Sequence, residues 1–269
     1  MRKLALAVKA YFYDHKNPMS KRFLPLACAF ALVLLALNGC KKETEEFQTE
    51  AISDYYPLEV GKFITYKIDS TVFVNLNTIK EVHSYVIKDI VDAQIADNLG
   101  RPSYRIRRLI RDEVDTTKWV DNASFMVTPL DKSLEYIENN LRYIKIHQPL
   151  KDDYSWKGNN YINTYSNPDY QYLDDWDYFF QNSGQPYSVD DLTFPETITI
   201  NQRDEVLGNP DDKTFYFEIN KSIEVYAKSI GLVYKEFLHE AWQPPNITSP
   251  GGYYEPSSYG VTLKVLSYN

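Results

Sequence analysis

Cys40 is the residue whose type and setting most clearly dictate chemistry. It closes the run Leu37-Asn38-Gly39-Cys40 at the end of an apolar stretch, Leu24–Leu37. A cysteine thiolate is a good nucleophile, and the small Asn38 and Gly39 let a peptidase groove close on the chain just ahead of it. The expected chemistry is cleavage before Cys40 and acceptance of a lipid by its sulfur. Other reactive side chains form no constellation. A serine-nucleophile elbow, a phosphate loop and a paired-histidine metal motif are all missing. His83, His147 and His239 each stand alone in a strand-like segment, where a structural role is the ordinary case. Asp169, Asp174, Asp175, Asp177, Asp211 and Asp212 lack the spacing and glycine of a calcium loop. Carboxylates abound without marking a glycosidase pair. No catalytic residue, metal site or cofactor is expected, and the chain reads as non-enzymatic.

Two features could bind rather than react. Arg105, Arg107 and Arg111 fall on alternate positions of one strand-like segment beside Arg101 and Arg108, and alternate strand residues stand about 6.6 Å apart. They form either an anion or partner patch, or a row paired across strands with Asp112, Glu113 and Asp115. The second feature is Lys151–Asp190, whose 40 residues hold 11 aromatics among many Asn and Asp. Disordered segments are poor in aromatics, so an ordered excursion over the sheet is expected. Trp156, Tyr161, Tyr172, Trp176 and Tyr178 are its candidate ligand contacts, with Trp156 and Trp176 expected on an exposed face, since flat rings can receive sugars or peptides. The alternative is a lid whose rings cap the sheet.

The elements that must position these residues are strands. Period-two alternation marks 62–73, with Ile64, Tyr66, Ile68 and Val72 on one face, and again 103–112, 116–128, 193–204 and 261–265. The mixed phase of 78–91 predicts a bulge or a strand covered on both faces. Glu138-Asn139-Asn140 reads as a hairpin turn between 133–137 and 141–148. Segments 215–219 and 223–228 lead to Gly231, where a bulged hairpin needs positive φ, and 232–240 returns. Some ten strands without helical periodicity predict a mainly β fold. It would be a single antiparallel, strongly curved sheet or partly open barrel, carrying the long aromatic-rich loop excursion.

The apolar stretch is shorter than the roughly 18–20 residues that span a bilayer, and it ends on small residues, as an export signal does. It also follows Met19-Ser20-Lys21-Arg22, a compact basic start, so translation from Met19 rather than Met1 is expected. Removing residues 1–39 leaves a chain of net charge −13, which argues against a nucleic-acid partner. Cys28 is lost with that segment and Cys40 is acylated, so no disulfide is available and the core alone must supply stability.

The tetrapeptide Leu37-Asn38-Gly39-Cys40 resembles the lipobox of bacterial lipoproteins. Lys41-Lys42-Glu43-Thr44-Glu45-Glu46 resembles the export signal of Bacteroidota-type surface lipoproteins, and is otherwise a solvated tether. Tyr56-Pro57-Leu58-Glu59-Val60-Gly61 and Tyr226-Ala227-Lys228-Ser229-Ile230-Gly231-Leu232-Val233 are similar to stretches of uncharacterised outer-membrane lipoproteins of that type, and the second hairpin weakly resembles the curved sheets of periplasmic lipoprotein carriers. The resemblance implies an outer-membrane, surface-facing protein held to the lipid bilayer by palmitate-type chains on Cys40. It divides the chain into signal peptide 1–39, lipidated tether 40–55 and β domain 56–269. Asp69-Ser70-Thr71 and Asp115-Thr116-Thr117 match a three-residue O-glycosylation pattern, making Ser70 and Thr116 candidate acceptors. The role so implied is a binding or envelope-accessory module with a glycan, peptide or envelope-protein partner. A carrier with a hydrophobic concavity for lipid or lipoprotein is a second reading, and a hydrolase with an unrecognised carboxylate site a third.

Overall fold

A chain rich in β-branched and aromatic residues at period two forms strands wherever one face finds a core. The computed structural model describes residues 50–114 and 118–269, so Cys40 and Thr116 lie outside the described residues. After a one-turn helix α1 (Ile52–Tyr55), the strands are β1 (Phe63–Val74), β2 (Ile79–Ala96), β3 (Pro102–Asp112), β4 (Val120–Pro129), β5 (Ser133–Glu138), β6 (Leu141–His147), β7 (Ser155–Lys157), β8 (Asp177–Val189), β9 (Leu192–Leu207), β10 (Phe217–Ala227), β11 (Gly231–Gln243), β12 (Tyr253–Tyr254) and β13 (Tyr259–Tyr268). They make one antiparallel sheet in the order β6-β5-β4-β3-β2-β1-β13-β11-β10-β9-β8-β7, with β12 paired to β11 off that path. The sheet is barrel-like and nearly closed, with one unsealed seam. At that seam Ile144 donates its amide to the Gly158 carbonyl at 2.8 Å, and the Trp156 indole N–H donates to the Ile144 carbonyl at 2.7 Å. Among the described residues no helix is long and apolar enough to cross a membrane.

The alternation explains the inner wall. Ile64, Tyr66 and Val72 of β1 face the interior with Asp89 of β2, Arg108 of β3 and Tyr136 of β5. In β2, Val86 and Ile87 are both buried, so its mixed phase marks cover on both faces there, and a register shift follows between Val91 and Ala93. Strand β10 is likewise buried at Glu224, Val225, Tyr226 and Ala227 in succession. The reason is the tip of the β8–β9 hairpin. Strand β8 breaks register twice around Asn182 and Gly184, both at positive φ, and Val189 and Phe194 then pack with Val225 and Ala227. Asn139 and Asn140 take φ of 52° and 62° in the β5–β6 turn, the primed geometry that matches strand twist. Gly231 takes φ of 116° at the β10–β11 bulge.

Three expectations need correction. The segment 215–228 is one strand from Phe217, not two. The excursion is only partly loop, because 177–189 is a 13-residue strand whose period is hidden by its bulges. Residues 50–55, counted with the tether 40–55, pack on the β domain. Ile52 and Tyr55 are buried, the Ser229 amide donates to the Asp54 carbonyl at 2.6 Å, and Glu50 meets Lys228 and the Tyr55 hydroxyl.

Candidate functional site

The inner wall encloses a cavity of about 680 Å³, within the range of small-molecule sites. Tyrosine is the commonest residue type in its lining, beside a similar number of Ile, Leu and Val side chains. Tyr56 comes from the lead into β1, Tyr66 from β1, Tyr136 and Tyr143 from the β5–β6 hairpin, and Tyr178 and Tyr226 from β8 and β10. The segment between β7 and β8 closes it with Tyr170, Tyr172 and Trp176, the first two within a 3-10 turn over Pro168–Leu173. Asn159 holds this cover in place, donating to the Leu173 carbonyl at 2.9 Å and accepting from the Tyr178 hydroxyl at 2.8 Å. The Trp176 indole N–H donates to the Tyr172 carbonyl at 2.7 Å.

Most charges in this wall meet an opposite charge. Glu224 accepts from Lys145 Nζ at 2.6 Å and from the Tyr226 hydroxyl at 2.7 Å, with Lys235 at 3.6 Å. Burial alone would raise the Glu224 carboxyl, but the charges of Lys145 and Lys235 and these hydrogen bonds outweigh it and hold the group down at about 2. Arg108 grips Asp89 through two bonds of 2.7 Å and lies 4.5 Å over the Phe125 ring. Lys235 also reaches Glu138 at 4.0 Å.

Several hydroxyls in the wall are uncommitted. Those of Tyr56, Tyr136 and Tyr143 meet no hydrogen-bond partner among the described residues. Burial first, and nearby carboxylates second, push Tyr56 and Tyr143 well above the ordinary phenol range; burial and the neighbouring Tyr56 do the same for Tyr136. All three side chains are half-buried and line the cavity. Gln202 of β9 accepts from the Ser222 hydroxyl at 2.6 Å, while its buried amide nitrogen has no acceptor among the described residues.

A polar chain stands at one edge of the cavity. Tyr172 stacks on His239 with ring centroids 3.8 Å apart and planes 10° apart. His239 Nδ1 lies 2.8 Å from Asn220 Oδ1 and Nε2 lies 3.3 Å from Ser257 Oγ. Asn220 donates its amide to Glu218 at 2.7 Å, which leaves Oδ1 to accept and assigns the proton of neutral His239 to Nδ1. Burial pulls the imidazole down to about 4, with Glu218 opposing.

Of the candidate contacts, Tyr172, Trp176 and Tyr178 line the cavity from inside. Trp156 latches the seam and Tyr161 lies outside, with Arg142 5.8 Å from its ring. The expected exposed face for Trp156 and Trp176 is overturned, since they are 8% and 1% accessible. Their indole nitrogens find carbonyl partners inside, so the rings can be buried without loss. Arg105 and Arg107 do point outward, but they pair with Asp92 and Asp121 rather than with Asp112 or Glu113, because strand register puts those aspartates alongside. Arg111 lies 5.1 Å over Trp119. Ser70 sits mid-strand between β2 and β13 and lines the cavity.

The charged pairs and Gln202 were missed in the sequence because strands far apart in the chain bring them together. The only signal was an acidic or amide residue at inward parity, as at Glu224 beside Val225. No protein-family model, curated protein or solved structure matches this chain, so the geometry stands by itself.

Proposed function

We propose that this is a lipid-anchored outer-membrane binding protein that holds a small molecule inside its sheet. The observation that carries the reading is the tyrosine-rich cavity, roomy enough for a guest and furnished with uncommitted donors. Buried surface is ordinarily filled, and an open interior lined by hydroxyls and ion pairs is a poor way to build stability alone.

The test is native mass spectrometry of protein extracted gently from its own membranes. A non-covalent adduct that is lost on denaturation, together with acyl mass on the peptide beginning at Cys40, is the expected result. A bare polypeptide mass would overturn the binding reading, and an unmodified Cys40 the anchoring. A hydrolase has one observation in its favour, the Ser257–His239–Asn220 chain with Ser257 lining the cavity. Against it, an imidazole held near 4 is a weak base at neutral pH. Failure of Ser257 to label with a fluorophosphonate probe is expected, and labelling would revive the enzyme.

A further inference from the structure

We infer that the cavity selects a neutral, planar ring compound bearing carbonyl acceptors, the quinone type being the simplest member. This rests on the binding reading above and specifies its ligand class. Three features of the wall exclude other guests in turn. Its inner charges are already balanced: Arg108 by Asp89, Lys145 by Glu224, and Lys235 shared between Glu224 and Glu138, while of the other two that line it Asp169 is exposed and Lys62 donates to the Ser229 carbonyl. A charged guest would lose its hydration without gaining an unpaired counter-ion, a cost the interior cannot offset. The guest is therefore neutral.

Next, aromatic rings surround the space on several sides, from Tyr56 and Tyr226, whose centroids are 6.0 Å apart, to Tyr172, Trp176 and Phe237 on the covered side. Such a wall favours a flat π-body over a flexible chain. Finally, the wall has hydrogen-bond donors to spare. The phenols of Tyr56, Tyr136 and Tyr143 stay protonated across the neutral range and have donors to spare, and the Gln202 amide has an orphaned buried donor. Leaving such donors unmet is costly. A ring carrying carbonyl oxygens meets them, whereas a bare hydrocarbon ring does not.

The experiment measures quenching of intrinsic fluorescence in the full folded protein by three probes: 2-methyl-1,4-naphthoquinone, 2-methylnaphthalene, and palmitate displacing either. Control titrations with free tryptophan correct for absorption by the probe. Binding of the quinone about tenfold or more tighter than its hydrocarbon twin is expected, since one or two neutral hydrogen bonds amount to roughly that factor. The triple variant Tyr56→Phe, Tyr136→Phe, Tyr143→Phe should bring the two affinities together. Because these hydroxyls bond nothing among the described residues, the variant should keep the wild-type urea midpoint, and Gln202→Met gives an independent removal of a donor. Equal affinity of the two ring probes in the wild type would overturn carbonyl recognition. Binding of palmitate alone would overturn the ligand class and leave a binding protein of another kind. No binding of any probe at millimolar concentration would overturn the binding reading with it.

Discussion

Replacing Glu224 by Gln removes one charge from the centre of the inner wall and leaves Lys145 and Lys235 without their shared counter-ion. A buried pair broken on one side costs about 3–5 kcal/mol. The pH dependence makes the test specific. The Glu224 carboxyl lies at about 2 in the folded chain against an ordinary 4.5, a difference equivalent to about 3 kcal/mol. Because the folded value is depressed, this stability is complete above pH 4.5 and is lost as pH falls through 4.5 towards 2. The assay is urea unfolding from pH 7 to pH 2, followed by the fluorescence of the 4 tryptophans. Other carboxylates contribute to the acid limb of both proteins, and the difference between wild type and Glu224→Gln isolates this one. The variant should be less stable at pH 7, and the gap should narrow by about 3 kcal/mol by pH 2. The double variant Glu224→Leu, Lys145→Met should recover most of the loss, since a packed apolar pair avoids the desolvation cost. A gap that stays constant from pH 7 to pH 2 would refute the reasoning, because Glu224 would then not be held ionised.

Two further outcomes follow from the same geometry. His239 sits at about 4 when folded against an ordinary 6.5, so its contribution is complete above pH 6.5 and is lost as pH falls towards 4. Urea midpoints of wild type and His239→Gln should converge across that interval by up to about 3 kcal/mol, and parallel curves would refute the burial argument. At Gly158 an added Cβ would lie 2.3 Å from the Tyr178 ring, so Gly158→Ala must displace that ring from its bond to Asn159. A loss of about 1–3 kcal/mol is expected, with weaker probe binding, and an unchanged urea midpoint would show that the cover relaxes freely.

By itself, the sequence determined the class of fold and most strand positions. Alternation such as Ile64, Tyr66, Ile68 is a local property, because successive side chains on a strand face opposite ways wherever the strand pairs. It also located the turns at Asn139-Asn140 and Gly231, where few residues take positive φ. Tertiary structure alone decided what the alternating faces meet. Glu224 and Lys145 are 79 positions apart in the chain, and no local pattern records that β6 and β10 face each other across the interior. The same holds for Trp156 and Trp176: abundance of aromatics in one segment could not say whether the rings turn outward to solvent or inward to a seam and a cavity. That choice depends on carbonyl partners supplied by Ile144 and Tyr172 once the sheet has curved. The cavity is a property of the nearly closed sheet, and its donors become a site only when distant strands leave them facing one another without acceptors.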